Sequence, residues 1–195
     1  MRIAIAGASG TGKTTLARAI AEKYDLPLNP VGARSVALEM GFQNPYDVDA
    51  VGKRVEFQKR LFESKRAWEL AHDHFVTDRT YLDNLTYYSL HMAEHLEADA
   101  MDVFVGAMRR YDLVFQLPLS VMQDTGDGVR KTGAGYHRLY EYLLTGYLEL
   151  AHGGGTLGNC FTLWSKLDMR QADAFDHIDH QFKGEGLGYT LRTTG

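Results

Sequence analysis

One eight-residue stretch constrains this chain more than any other. Gly7-Ala8-Ser9-Gly10-Thr11-Gly12-Lys13-Thr14 has the spacing G-x-x-x-x-G-K-T. The apolar run before it, Met1 to Ala6, predicts a short buried strand, and Thr15 to Lys23 predicts a helix. Strand, glycine loop and helix in that order form a phosphate cradle. Glycine adopts backbone angles that a Cβ forbids, so successive N–H groups turn inward towards an anion. The new helix adds its unpaired N–H groups and the positive end of its dipole. The predicted nucleotide-binding residues are Gly7, Ala8, Ser9, Gly10, Thr11, Gly12, Lys13, Thr14 and Thr15. Lys13 is expected at the β- and γ-phosphates and the Thr14 hydroxyl at a bridging Mg²⁺. A glycine turn that binds nothing would require neither residue.

Length and charge set the remaining bounds. The 195 residues predict one domain, 1–195, with room for a substantial core. A net charge of -4, from 21 basic and 25 acidic residues, does not describe a general electrostatic binder of nucleic acid. The single cysteine, Cys160, excludes an intrachain disulfide and a cysteine-rich zinc site, and a cytoplasmic setting is the expectation. No apolar run has the length of a membrane span, and the first residues do not read as a signal peptide.

Beyond the first helix, Leu26-Pro27-Leu28-Asn29-Pro30 predicts a short extended piece, and Val31 to Gly41, with Arg34, a short helix or loop. A long helix is expected over about Val48 to His72. Its apolar face would carry Val51, Val55, Leu61, Phe62 and Trp68, with Gln58 on or beside it. Gln58 is either an edge residue or an amide that reads a planar polar group.

His74-Phe75-Val76-Thr77-Asp78-Arg79 predicts a strand that ends in an acid. Such an acid faces a phosphate loop from the neighbouring strand end. Asp78 is then a metal anchor or a base for an attacking hydroxyl, with a helix N-cap as its structural alternative. Arg79 would meet a substrate phosphate or hydroxyl. Helices are expected over Tyr81 to Glu97 and Ala100 to Arg110. His91 and His95, four apart, lack a third ligand and read as surface or half-buried histidines.

Asp112 to Pro118 predicts another buried strand. The glycine-rich stretch after it carries Arg130 and Lys131 and predicts a lid over about 120–136. Tyr136 to His152 is a periodic helix whose Arg138 would point towards the phosphates. Asn159 to Trp164 is a last strand, Asp168 to Phe182 a last helix with a solvated Asp176–His180 face, and 183–195 a flexible tail.

These segments together resemble the P-loop kinases. GASGTGKTTLA, VTDRTYLDNLTYY, YDLVFQLP and DGVRKTG are similar to the kinase domain of bacterial nicotinamide-riboside kinase proteins, a group common in phage genomes. Nucleoside monophosphate kinases and deoxynucleoside kinases are more distant. The resemblance spans about residues 1 to 150. It implies an α/β fold, a single P-loop NTPase domain with about five parallel strands in the order 2-3-1-4-5. It implies ATP and Mg²⁺ as cofactors and phosphoryl transfer to a nucleoside- or nucleotide-like acceptor. By it Lys13, Asp78, Arg79 and Arg130 are catalytic, Thr14 and Asp78 hold the metal, and Gln58, Arg34 and Arg79 bind the acceptor. One departure is Asn29, where relatives often carry an acid at the end of the second strand. Three other readings remain open. One is a kinase of a hydroxymethylated pyrimidine in DNA, which would use the basic residues Arg54, Lys59, Arg60, Lys65 and Arg66. Another is a nucleotide switch or ATPase without an acceptor, and the last a motor-type ATPase. A homodimer is compatible with each.

Overall fold

The computed structural model describes residues 1–119, 134–166 and 168–183. At its centre lies β1 (Arg2–Gly7), the strand that feeds the glycine loop. It pairs with β2 (Phe75–Asp78) on one side and β3 (Leu113–Leu117) on the other, and β4 (Asn159–Thr162) pairs with β3. All pairings are parallel, so the order is β2-β1-β3-β4. Parallel neighbours require crossover connections, which are helical here.

Between β1 and β2 run α1 (Lys13–Tyr24), α2 (Ala33–Glu39), α3 (Asp47–Ala50) and α4 (Arg54–Leu70). Between β2 and β3 run α5 (Tyr81–His91) and α6 (Ala100–Ala107); α7 (Ala134–Gly153) precedes β4 and α8 (Arg170–Phe182) follows it. Alternation along β1 builds two cores. Ile3 and Ile5 face Leu16 and Ile20 of α1 and Ile178 of α8. Ala4 and Ala6 face Leu82 and Leu85 of α5 and Leu144 and Leu148 of α7.

The α/β fold and the expected relative strand order hold, with one strand reduced. Leu26 to Pro30, the expected second strand, contributes an isolated bridge between Leu28 and Val76. Asn29 N donates to Val76 O at 2.8 Å. Pro27 and Pro30 cannot donate, which leaves little ladder to extend.

The long helix expected over Val48 to His72 is two helices. Gly52 takes φ 70° between them, a left-handed conformation that ends α3 before α4 begins. Val51, placed on the apolar face by periodicity, is 57% exposed. The buried face of α4 instead carries Phe57, Gln58, Leu61, Lys65 and Glu69. The helix expected to reach Glu97 stops at His91 and gives way to a short 3-10 turn, Ala93–His95. His91 meets the Tyr136 hydroxyl at 2.9 Å. Thr80, not Asp78, caps α5. Arg138 is exposed and is not among the residues that line the cleft described below.

Four of the five basic residues that a DNA acceptor would use make ion pairs within the chain, and Arg66 is exposed. Arg54 pairs with Asp49, Lys59 with Glu97, Arg60 with Glu56 and Lys65 with the buried Glu69. Arg130 and Lys131 lie outside the described residues, as do residues 120–133 of the lid expected over about 120–136, whose last residues open α7, and the tail beyond Lys183. Among the described residues no helix is long and apolar enough to cross a membrane.

Candidate functional site: a glycine loop opening onto a cleft

Gly7 ends β1 and sits against β3. A Cβ placed on it would lie 2.6 Å from Leu117 O, and its φ is 144°. Only glycine fits there. Gly10 and Gly12 are also left-handed, at φ 85° and 89°. The loop is tied to itself: Thr11 Oγ1 donates to Ala8 O at 2.9 Å, and Lys13 Nζ donates to the same oxygen at 2.6 Å. Lys13 is buried and opens α1, so its ammonium stands at the helix start beneath the loop.

Register brings the acid to the loop. Ile5 is opposite Asp78, so β2 ends beside the point where β1 turns into the cradle. Thr14 Oγ1 donates to Asp78 Oδ2. The other carboxylate oxygen, Asp78 Oδ1, is buried and makes no hydrogen bond. A hard divalent cation favours oxygen donors, and one hydroxyl beside a carboxylate with an unspent oxygen fits Mg²⁺ held largely by nucleotide phosphates. Among the described residues no cluster of three or more His, Cys, Asp or Glu could hold a metal by protein ligands alone.

Arg79 takes φ 78°, which is unusual for a residue with a side chain. Its N–H donates to Ile5 O at 2.8 Å. Its guanidinium donates to Asp83 Oδ1 at 3.2 Å, to the Tyr140 hydroxyl at 2.9 Å and to Ser9 Oγ at 3.1 Å. Burial opposes this charge, but Tyr140 and Asp83 outweigh it and hold the Arg79 pKa above its usual value. Asp83 is the hub. It is 1% exposed, and its Oδ1 also accepts from Tyr140 at 2.8 Å and from Gly7 N at 3.4 Å. Its Oδ2 accepts the Thr80 N–H and hydroxyl, each at 2.8 Å, which completes a capping box at the start of α5. One carboxylate thus fixes a helix start, the arginine and the strand end that leads into the loop.

One cleft of about 960 Å³ takes in these groups. It is lined by Ser9, Gly10, Gly12, Lys13, Thr14 and Thr15 of the loop and helix start, and by Asp78 and Arg79. The same cleft is lined by Arg34, Phe57, Gln58, Asn84, Tyr87 and Tyr136. Gly7, Ala8 and Thr11 stand behind the loop surface rather than on the cleft wall. Gln58 is buried on α4, and Asn84 Nδ2 donates to its Oε1 at 3.4 Å, so two amides face the pocket together.

Of the site residues singled out from the sequence, the cleft gathers Ser9, Gly10, Gly12, Lys13, Thr14, Thr15, Asp78, Arg79, Gln58 and Arg34, and leaves Gly7, Ala8 and Thr11 behind it. Sequence reasoning missed Asp83, Asn84, Tyr87, Tyr136 and Tyr140. Thr80-Tyr81-Leu82-Asp83 is a capping-box spacing ahead of an apolar run, a local signal for Asp83. The others carry no local signal. It also missed Asp168, Arg170 and Gln171, which line the cleft from a segment without a recognisable motif.

A parallel α/β sheet with a G-x-x-x-x-G-K-T loop, an acid on the adjacent strand end and a cleft lined by both defines a P-loop fold of the kinase type. Residues 2–152 match a family described as AAA domain, and the chain belongs to that family. No curated protein matches it. Similar solved structures include shikimate kinase from Aquifex aeolicus, at 14% identity and TM-score 0.58, covering 96% of this chain and 99% of that one. NadR protein in complex with NR is 17% identical at TM-score 0.62, over all of this chain and 52% of that chain; this chain thus spans about half of NadR. Deoxyadenosine kinase from M. mycoides with bound dATP is 15% identical at TM-score 0.54, over 92% of this chain and 99% of that one. These likenesses bear out the resemblance to P-loop kinases in fold.

Proposed function

We propose that this chain is an ATP-dependent phosphotransferase acting on a hydroxyl of a nucleoside- or nucleotide-like small molecule. The observation that carries the reading is the continuity of the cleft. Asp78 and Arg79 line one cleft with the phosphate loop and with Phe57, Tyr87, Tyr136 and the Gln58–Asn84 amide pair. Aromatic faces with paired amides suit a planar ring that carries hydrogen-bonding edges. The kinase neighbours support the same class of chemistry.

In this reading the loop N–H groups and Lys13 hold the triphosphate. Lys13 exchanges its contact with Ala8 O for phosphate oxygens. Thr14 and Asp78 would hold Mg²⁺, which supplies charge neutralisation of the phosphates. Asp78 orients the acceptor hydroxyl or accepts its proton. Arg79, held by Asp83, Tyr140 and Ser9, presents a fixed positive charge beside the transferring group. Phosphoryl transfer of this kind depends on positioning and electrostatics. Arg130 would add a cation from the stretch ahead of α7, and Arg34 a contact to the acceptor.

The test is transfer of label from γ-labelled ATP with Mg²⁺ to nucleosides, nucleoside monophosphates, nicotinamide riboside and shikimate. Lys13→Ala and Asp78→Asn serve as controls. Label on one acceptor, lost in both variants, supports the reading. Label found only in free phosphate replaces it with an acceptor-free ATPase.

A further inference from the structure

Arg170 opens α8, outside the 2–152 span of the family match. Its side chain is 2% exposed, yet it lines the cleft beside Thr14, Thr15 and Gln171. One guanidinium nitrogen donates to Thr11 O, the carbonyl between the two left-handed glycines of the loop. The Nε and the other terminal nitrogen are buried and make no hydrogen bond. Among the described residues no carboxylate hydrogen-bonds to this guanidinium, and burial lowers its pKa. A buried cation without a counter-charge is costly, and so are buried donors without acceptors. Both costs fall when an anion arrives at the loop that this side chain already touches. The first turn of α8 adds its own positive dipole end at the same wall.

We propose that Arg170 is a nucleotide-binding residue whose guanidinium takes a phosphate oxygen of the triphosphate, so that the last helix completes the phosphate site. This rests on the nucleotide half of the reading above and not on the acceptor. Binding of the triphosphate then supplies the missing counter-charge and fastens α8 to the loop.

Calorimetric titration tests this with two probes, inorganic tripolyphosphate and ATP, each with Mg²⁺. Arg170→Gln should weaken both by about tenfold or more, the scale of one charge-assisted hydrogen bond. Arg170→Lys, which keeps the charge, should lose less for both. Unchanged affinities in a folded Arg170→Gln protein overturn the proposal. Loss for ATP alone overturns it too, since the contact is then with base or sugar. Hydrogen exchange on the wild type covers the case of a variant that does not fold. Tripolyphosphate should slow exchange in the first turns of α8, which a merely structural tie to Thr11 would not produce, and unchanged exchange there overturns the proposal. A wild type that binds neither probe overturns this inference and the nucleotide reading together. A wild type that binds both but phosphorylates nothing leaves this inference standing and removes only the transferase reading.

Discussion

Two polar networks are built into this fold, and α5 contributes to both, through Asp83 and through Tyr81. The first is Asp83 with Arg79, Tyr140 and Ser9, at the cleft. The second joins α4, α5 and β2. There Glu69, fully buried, pairs with Lys65 at 2.7 Å and accepts from the Tyr81 hydroxyl at 2.6 Å, Asn29 at 3.3 Å and the Tyr111 hydroxyl at 3.4 Å. Lys65 also donates to Thr77 Oγ1. This second network is closed, because each charge has its opposite and Glu69 has four donors. The first has an open border, where Asp78 Oδ1 and two nitrogens of Arg170 have no partner. Arg110 Nε, near the closed network, is also without a partner, so an orphan atom alone does not mark a site. The cleft orphans differ in belonging to side chains that line one cavity with the phosphate loop. A closed network holds a fold, and one completed only by a ligand is equipped to bind it.

The comparison can be broken by experiment, beginning with the largest effect. Lys13→Ala should lower phosphoryl transfer by on the order of a thousandfold, the range seen when a preorganised charge is removed from a transition state. Its thermal unfolding should stay close to wild type. Glu69→Gln should do the reverse. It leaves the Lys65 charge buried and unpaired, at about 3–5 kcal/mol of stability in chemical denaturation. Transfer per folded molecule should stay unchanged. If Glu69→Gln instead abolishes transfer at full stability, the division between the networks is wrong.

Asp83→Asn should show both kinds of effect, since Asp83 serves a helix cap and Arg79 at once. A loss of about 1–2 kcal/mol in stability is expected from the cap and the charged bond, with transfer falling by about tenfold or more as Arg79 loses its tether. Tyr140→Phe is the mildest. It removes one donor to Asp83 and one acceptor from Arg79 and should cost about 1 kcal/mol. A pH titration reads both networks together. Burial, reinforced by Glu69, raises Tyr81 and Tyr111, and burial with Asp83 raises Tyr140. All three should stay protonated through pH 10 in ultraviolet difference spectra, while exposed tyrosines ionise. Early ionisation of any of them would place it outside its network.

The cleft network was the more legible in sequence. Its loop is local, and its strand-end acid and arginine follow a short apolar run. Asp83 was within reach through its capping box but was not recognised. The closed network was not legible, because Lys65 and Glu69 have the residue types of a solvated helix face. Only packing against β2, Tyr81 and Tyr111 buries them. Periodicity misplaced Val51 for the related reason that Gly52 resets the helix phase. The weak second strand was foreshadowed by two prolines. Arg170 escaped because it meets Thr11 across 159 residues of chain, and no local pattern encodes such a meeting.

The left-handed backbone at Arg79 has a consequence for descent rather than for mechanism. A side-chain-bearing residue held at φ 78° costs roughly 1–3 kcal/mol relative to a relaxed one. Glycine or asparagine would relieve much of that strain while leaving the Ile5 contact of the backbone intact. A lineage released from the need for the guanidinium would trade that relief against a buried Asp83 left without its ion-pair partner. Loss of that partner costs at least as much as the strain relieved, so the arginine is held in place by stability as well as by any use of its charge.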